Sequence, residues 1–253
     1  MIDFHAYVGV LTREAIMFRR LWLSTTFASV VEPTIYLLAF GFGLGALISN
    51  INGYSYIEFV GTGSVATAVL FSSVFTGMFT TYVRRVYQKT YDGLLSTPVN
   101  VSEVMTAEGI WIAAKAGVYG CAPLLVAMCF GLPPSWGMLA VPLIAFLTGL
   151  GFGYFGQWMS GIVPSIDAFN YVTSALITPL FLVAGTFFPL TSLPQWAQAL
   201  AQLNPLYHCV QLVRHAAFGW EGWADVWNVA FLVVFAILMR MLSVRRLRKR
   251  LVT

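Results

Sequence analysis

Long apolar runs separated by short polar connections organise this chain. Each run is long enough to cross a hydrocarbon core of about 30 Å as a helix. The runs cover residues 24 to 48, 57 to 82, 105 to 130, 137 to 162, 168 to 190 and 223 to 243. Because lipid offers no hydrogen bonds to the backbone, such runs must satisfy their own polar groups. The pattern predicts an all-α polytopic membrane protein with six transmembrane helices in a single domain, residues 1–253.

The segment before the first run, residues 1–23, alternates differently. Apolar residues recur there at three- and four-residue spacing, a pattern typical of an amphipathic helix in the membrane interface. They are Phe4, Tyr7, Val8, Leu11, Ala15, Phe18 and Trp22. This helix is either a membrane anchor or a surface that also contacts a cytosolic partner.

The stretch before the last run also has helical spacing, although an ordinary loop would need only turn residues. Its apolar positions include Trp196, Leu200 and Leu203, with Gln198 and Gln202 on the opposite side. Two short helical patterns punctuated by proline fit this stretch. We interpret it as a half-buried, re-entrant hairpin on the extracytoplasmic side.

Composition and charge agree with a membrane protein of defined orientation. Hydrophobic residues make up 58% of the chain and charged residues 9%, which excludes a soluble globular surface. Twelve of the 14 lysines and arginines fall on one side of the six runs: Arg13, Arg19, Arg20, Arg84, Arg85, Lys89, Arg240, Arg245, Arg246, Arg248, Lys249 and Arg250. The positive-inside rule therefore places both termini and the loop 84–104 in the cytoplasm. Anionic lipid headgroups, rather than nucleic acid, are the natural neighbours of the basic tail.

The loop 84–104 is the one cytoplasmic connection of useful size in this sequence. Its residues 86–95 are compatible with a short helix weakened at Gly93, Pro98 ends it, and Asn100 with Glu103 resembles a capping box. The loop is either a solvated turn or a structured contact that transmits force from a soluble partner.

Three ionisable residues stand apart from the topogenic charges. Glu32 and Lys115 lie at similar depth in the first and third runs, where charge is costly and usually functional. We expect Lys115 to pair with Glu32 or with Glu108, or to extend to the interface. Arg214, the lone cation predicted on the outer side, is expected to meet an anionic headgroup of lipid or of substrate.

Motifs for chemistry are absent or misplaced. Gly151, Gly153 and Gly156 spell G-x-G-x-x-G inside an apolar run, where close helix packing explains them better than a dinucleotide site. The sequence has no P-loop motif, so any nucleotide-driven role needs a separate subunit. His208 and His215 are too far apart to chelate a metal as a pair. We expect no cofactor or metal in this chain and no enzymatic activity of its own.

Three segments resemble the NodJ-like permeases of the ABC-2 type ATP-binding-cassette exporters. They are EPTIYLLAFGFGLG at 32–45, YDGLLSTPVNVSEVMTAEGIW at 91–111, and VPSIDAFNYVTSALITPLFLVAGTFFPLTSLPQWAQALAQLNPLYHCVQLVRHAAFG at 163–219. The resemblance implies six spans per subunit, a homodimer of permeases in a bacterial cytoplasmic (inner) membrane, and two cytosolic ATPase subunits that bind ATP and Mg²⁺. The implied cargo is amphiphilic: a lipid-linked saccharide, a lipooligosaccharide or a hydrophobic drug. A passive channel, an ion-coupled carrier or a membrane-embedded enzyme are the alternatives.

The resemblance also assigns roles by position. It implies an interface helix over 3–20, a coupling helix over about 86–95, a second cytoplasmic turn over Val163–Asp167, and outer helices over Leu193–Leu203 and Pro205–Phe218 within 191–222. The residues implied in ATPase coupling are Arg85, Lys89, Tyr91, Asp92, Gly93, Leu94 and Asp167. Those implied in an outer gate are Pro194, Trp196, Asn204, Pro205 and Arg214.

Overall fold

The computed structural model describes residues 4–45, 47, 50–51 and 53–251, with the backbone alone at 28, 29, 32 and 33. Nine helices account for most of these residues: α1 Phe4–Gly43, α2 Tyr56–Val86, α3 Thr90–Leu95, α4 Val101–Cys129, α5 Trp136–Ile162, α6 Phe169–Leu182, α7 Gln195–Ala201, α8 Pro205–Phe218 and α9 Trp223–Leu251. A two-residue antiparallel ladder, β1 Asn50–Ile51 with β2 Tyr54–Ser55, connects α1 to α2. The all-α prediction is confirmed.

Four of the helices are long and apolar enough to cross a membrane within the described residues: α2, α4, α5 and α9. Shorter apolar helical segments are Thr34–Gly43, at the end of α1, and α6. The prediction of a span over 168–190 was too long. Helix α6 has 14 residues, about 21 Å at 1.5 Å per residue, because the chain leaves the helix after Leu182 and Gly185 takes a φ of +78°.

Helix α1 differs from its prediction in continuity. The polar-to-apolar change near residue 23 suggested an interface helix followed by a separate span, yet Phe4–Gly43 is one helix of 40 residues. Residues 19–24 contain neither proline nor glycine, so nothing in the backbone favours a break there. Residues 4–23 are thus the first half of α1.

Helix α5 packs at the centre of the bundle through small residues. A Cβ atom built on Gly156 would lie 2.5 Å from the carbonyl oxygen of Val74, and one on Gly77 would lie 2.5 Å from that of Gly153. On the other side of α5, Gly149 meets the Cβ of Ala116 in α4 at 2.6 Å by the same construction. Backbones this close require glycine. The packing interpretation of G-x-G-x-x-G is confirmed.

The polar residues predicted to begin a helix have the expected contacts in the structure. The backbone N–H of Asn100 donates to Oε2 of Glu103 over 2.9 Å, as a capping box at the start of α4 requires. At the start of α3, Lys89 adopts a left-handed φ of 49°, which separates α3 from α2. The predicted helix over 86–95 is therefore shortened to Thr90–Leu95.

Replacing Gly156 with valine tests the packing of α5 against α2. The branched side chain has no space beside Val74 and Gly77, so we expect the free energy of unfolding to fall by roughly 1–3 kcal/mol or more. Thermal unfolding of the purified chain in detergent measures this. Gly9→Ala is the control, because a Cβ on Gly9 meets no atom within 4 Å. Equal melting temperatures for wild type and Gly156→Val would contradict the close packing.

Candidate functional sites

Four charged side chains form a buried cluster where α1, α2 and α4 meet. Arg84 contacts Glu14 as a fork, Nη1 to Oε1 at 2.6 Å and Nη2 to Oε2 at 2.9 Å, and its Nη1 also donates to Oε1 of Glu108 at 2.8 Å. Arg13 donates from Nη2 to Oε1 of both glutamates at 2.6 Å. We call Arg13, Glu14, Arg84 and Glu108 the charge network. Arg84 is 6% exposed and Glu108 2%, and Glu14 is also buried, whereas Arg13 is partly exposed, so three of the four charges are neutralised away from water.

The short helix α3 is attached to the charge network by Tyr91. Its hydroxyl donates to Oε2 of Glu108 over 2.7 Å, and the side chain is 1% exposed. Burial raises the pKa of Tyr91 well above its usual value, and the negative charge of Glu108 raises it further. The hydroxyl therefore remains protonated and serves as a donor.

Glu14 responds to the network in the opposite direction. Burial by itself would raise the pKa of this carboxyl, but hydrogen bonds and positive charge from Arg84 and Arg13 outweigh burial and lower the pKa. Glu14 is thus held as an anion. The carboxylate form is the one that accepts the hydrogen bonds from Arg84 and Arg13.

Apart from Arg85, the predicted coupling residues divide into two groups. Tyr91 is buried and Leu94 packs on the same apolar cluster as Val10 and Val104, so these two hold α3 on the bundle. The others are exposed: Lys89, Asp92, Gly93 and, on the turn between α5 and α6, Asp167. These four residues are accessible at the surface of the chain.

Arg85 does not belong to that exposed surface. Its Nη2 donates to the carbonyl oxygen of Ser160 over 2.7 Å, and its guanidinium lies 5.3 Å from the ring centroid of Tyr82. Arg246 and Arg250 donate to the neighbouring carbonyl of Gly161 at 3.2 and 3.3 Å. Three cations therefore surround the C-terminus of α5, where the helix dipole favours positive charge.

The charge network was not predicted from the sequence. Arg13 and Arg84 were interpreted as topogenic charges, and Glu108 as a partner for Lys115. Among the ion pairs of the described residues, Glu108 pairs with Arg13 and Arg84 instead. The available signal was Glu108 itself, a carboxylate inside an apolar run that needs a buried cation.

Lys115 lines a cavity of about 150 Å³ beside the network, together with Thr76, Thr80 and Trp111. Its pairing with Glu108 is wrong for the reason just given. The side chain of Glu32 lies outside the described residues, so the pairing of Lys115 with Glu32 stays a prediction.

At the other end of the bundle, Asn204 joins three helices. Its Oδ1 accepts the backbone N–H of Leu206 over 2.9 Å, which caps α8, while Nδ2 donates to the carbonyl oxygen of Leu180 in α6 over 2.7 Å. Pro205 occupies the first turn of α8, where its missing N–H costs nothing. Helix α7 begins directly after Pro194 and presents Trp196 to the outside. The predicted break at Asn204–Pro205 is confirmed.

Arg214 points into the bundle, and its expected contact with an anionic headgroup of lipid or of substrate stays a prediction. Its Nη2 donates to the carbonyl oxygen of Gly185 over 2.7 Å, and the guanidinium lies 3.7 Å from the ring centroid of Phe59 in α2. His215 contacts the carboxylate of Asp225 at 2.5 Å, and His208 contacts the side-chain oxygen of Asn228 at 2.7 Å. Within the described part of the chain, no group of three His, Cys, Asp or Glu side chains has the arrangement of a metal site.

Comparison with known proteins assigns this architecture to a family. The family model described as ABC-2 type transporter matches residues 6–218. The chain is 30% identical over 249 residues to Nodulation protein J of Sinorhizobium fredii (strain NBRC 101917 / NGR234), covering 98% of this chain and 94% of that protein. It is 31% identical to Nodulation protein J of Bradyrhizobium diazoefficiens, covering 97% and 94%.

A relative outside the nodulation proteins is also similar. Inner membrane transport permease YadH of Escherichia coli (strain K12) is 26% identical over 235 residues, which cover 92% of this chain and 90% of YadH. These matches extend over nearly the full length of each protein, as the resemblance of the three quoted segments led us to expect. The chain therefore belongs to the ABC-2 type transporter family, and within it to the NodJ-like membrane permeases.

Proposed function

We propose that this chain is the membrane-spanning subunit of an exporter that moves an amphiphilic cargo outward, driven by a separate ATPase subunit that binds ATP and Mg²⁺. The family match and the permease relative support transport as the activity. The observation that carries the ATPase part is the attachment of an exposed helix, α3, to a buried charge network through Tyr91. A surface loop with no partner would have no need for such an anchor.

Coupling in this proposal begins at the exposed side of α3. The partner contacts Asp92, Gly93 and Lys89, with Asp167 on the adjacent turn. A displacement of α3 moves Tyr91, and Tyr91 bears on Glu108 in α4. Because Glu108 shares Arg84 and Arg13 with Glu14, the displacement reaches α2 and α1 together. Packed elements of this kind change between discrete arrangements rather than deforming continuously.

Symmetry and orientation complete the proposal. Two copies of the permease and two ATPase subunits form the exporter, as in the family that the chain resembles. Both termini lie on the cytoplasmic side of a bacterial inner membrane. The basic end of α9 supports this placement. It carries Arg245, Arg246, Arg248, Lys249 and Arg250. By the positive-inside rule, α3 then lies on the same side of the membrane as the ATPase.

The outer helices α7 and α8 form the gate in this proposal. Asn204 ties the start of α8 to the end of α6, so movement of α6 is transmitted directly to the break between α7 and α8. Helix α6 is too short to cross the whole membrane. Its end therefore lies within the membrane, where α7 and α8 can contact an amphiphile. Pro194, Trp196 and Pro205 border that opening.

Changing the exposed side of α3 should separate the permease from its ATPase. We expect Asp92→Arg and Gly93→Trp each to lower the amount of ATPase that co-purifies with the tagged permease by about tenfold, because new charge or bulk enters the contact surface. Gly93 is exposed and a Cβ built on it meets no atom within 4 Å, so a side chain can leave the backbone there without a clash. The measurements are the ATP hydrolysis and the ATPase content of the purified complex.

Glu221→Arg is the matched control for Asp92→Arg, since Glu221 is an exposed acid at the opposite end of the bundle. It should leave the ATPase content unchanged. Wild-type permease purified without any ATP-hydrolysing subunit would reject the proposed function. Full ATPase content and export in both α3 variants would reject the coupling surface alone.

Neutralising Glu108 should destabilise the bundle and weaken coupling. Glu108→Gln leaves Arg13 and Arg84 with Glu14 as their remaining network anion, and breaking a buried pair costs roughly 3–5 kcal/mol. We expect a lower melting temperature and a smaller stimulation of ATP hydrolysis. Differential scanning fluorimetry and ATPase assays on the same preparation measure the two effects.

The double variant Arg13→Gln with Glu108→Gln returns the network to one cation and one anion. Its melting temperature should therefore exceed that of Glu108→Gln alone, an interaction that a double-mutant cycle quantifies. If the second substitution lowers stability further by its own full amount, the two residues act independently and the network as described is wrong.

A further inference from the structure

Arg214 is a largely enclosed cation that lacks a carboxylate partner among the described residues. Six described ion pairs join basic to acidic side chains, and none of them includes Arg214. The two acids nearest in sequence serve His215: Asp225 at 2.5 Å and Glu221 at 3.6 Å. Asp225 also accepts the backbone N–H of Glu221. Arg84, in contrast, is paired with two glutamates.

The contacts that Arg214 does make compensate its charge only in part. The carbonyl oxygens of Gly185 and Phe59, at 2.7 and 3.5 Å from Nη2, and the ring of Phe59 attract the guanidinium, but none of them carries a net negative charge. The Nε atom of Arg214 is buried and makes no hydrogen bond within the described structure. A buried charge with an unused donor is costly unless something supplies the missing acceptor.

A cavity of about 390 Å³ lies directly beside this guanidinium. Its walls combine aromatic rings with polar groups: Tyr54, Phe59, Gln211, His215, Phe218 and Glu221. Tyr54 and Phe218 stack at 3.9 Å between ring centroids and form an apolar side. Gln211 precedes Arg214 by three residues on α8, so the two side chains share one face of that helix.

The cavity is far from the charge network. Phe59 and Arg84 are separated by 25 residues of α2, which is about 37 Å along a helix. The cavity thus lies at the end of the bundle that carries α7 and α8, beside the second half of α8. An amphiphile that passes this end brings its polar headgroup to the level of Arg214.

We propose that this cavity binds the phosphate-type oxyanion of an amphiphile's headgroup, an assignment that rests on the proposed export function for its biological meaning. Arg214 supplies charge-assisted hydrogen bonds to the oxyanion, for which a guanidinium is well suited. Gln211 contributes its amide as a further donor. The stacked rings of Tyr54 and Phe218 accept the less polar part of the ligand that adjoins the anion.

A purely structural role for Arg214 makes a different prediction. If its task is to hold Gly185 next to α2, the contacts with Gly185 and Phe59 suffice and no anion is needed. Binding of an anionic amphiphile would then be insensitive to Arg214, or would occur through the basic residues at the other end of the bundle.

The test uses the full chain purified in neutral detergent without ATP or an ATPase. Isothermal titration compares dihexanoyl phosphatidic acid, dihexanoylglycerol and inorganic phosphate. We expect saturable binding of phosphatidic acid at one site per chain, weakened about tenfold or more by Arg214→Gln and kept by Arg85→Gln. Arg85 is the matched control because it also lies over an aromatic ring and donates to a backbone carbonyl.

Equal affinity for inorganic phosphate would overturn the assignment to an amphiphile, and equal affinity for dihexanoylglycerol, which has no phosphate, would overturn the assignment to an oxyanion. Binding of phosphatidic acid that is the same in Arg214→Gln and wild type would overturn the site itself. None of these outcomes affects the ATPase content measured with the α3 variants, so the failure of this site is distinguishable from failure of the proposed function.

Gln211→Glu keeps the test decisive even if Arg214→Gln does not fold. The substitution places a carboxylate three residues from Arg214 and provides the missing counter-ion from within the chain. We expect a higher melting temperature than wild type and loss of the phosphatidic acid site. Unchanged stability together with unchanged binding would contradict the proposal.

Discussion

The ion pairs among Arg13, Glu14, Arg84 and Glu108 constrain the rest of this structure most strongly. Four charges removed from water are tolerable only while each one has its partners, since a single missing member leaves an uncompensated buried charge. Helices α1, α2 and α4 contribute the members, so their positions at this end of the bundle depend on one another. Tyr91 adds α3 to the same constraint. An exposed helix of six residues is thereby connected to three long ones.

Close backbone packing extends that constraint along the bundle. The contact between α2 and α5 involves Gly77, Gly153 and Gly156, at a level where α2 changes to a π-helical turn over Thr76–Thr80. A π-turn disturbs the regular hydrogen bonding of a helix and often marks a functional position. Here it lies between the charge network and the middle of α2. A shift that begins at Arg84 meets an adaptable turn next to an inflexible contact, which favours bending of α2 at one place.

The elements that were predicted correctly from the sequence are those determined by nearby residues in the chain. Run length and periodicity predicted α2, α4, α5 and α9, and residue chemistry predicted the Asn204–Pro205 break. The predictions were wrong or incomplete where the structure depends on a single residue or on residues far apart in the chain. Helix α1 is continuous because a change in polarity is no obstacle to a helix, and α6 is short because Gly185 turns the backbone. The charge network joins residues 70 and 95 positions apart, so no spacing rule could bring Arg84 to Glu14 or Arg13 to Glu108.

The two enclosed arginines, Arg84 and Arg214, differ in a way that follows from how each is neutralised. Carboxylates from the same chain compensate Arg84, so its partners are permanent and suited to transmitting movement. Arg214 has a carbonyl, an aromatic ring and a cavity. An enclosed cation without a carboxylate partner can bind an anion that later dissociates. A cation that is already paired with two glutamates cannot. The two arrangements stand at opposite ends of α2, where we propose that the first serves coupling and the second binds a headgroup.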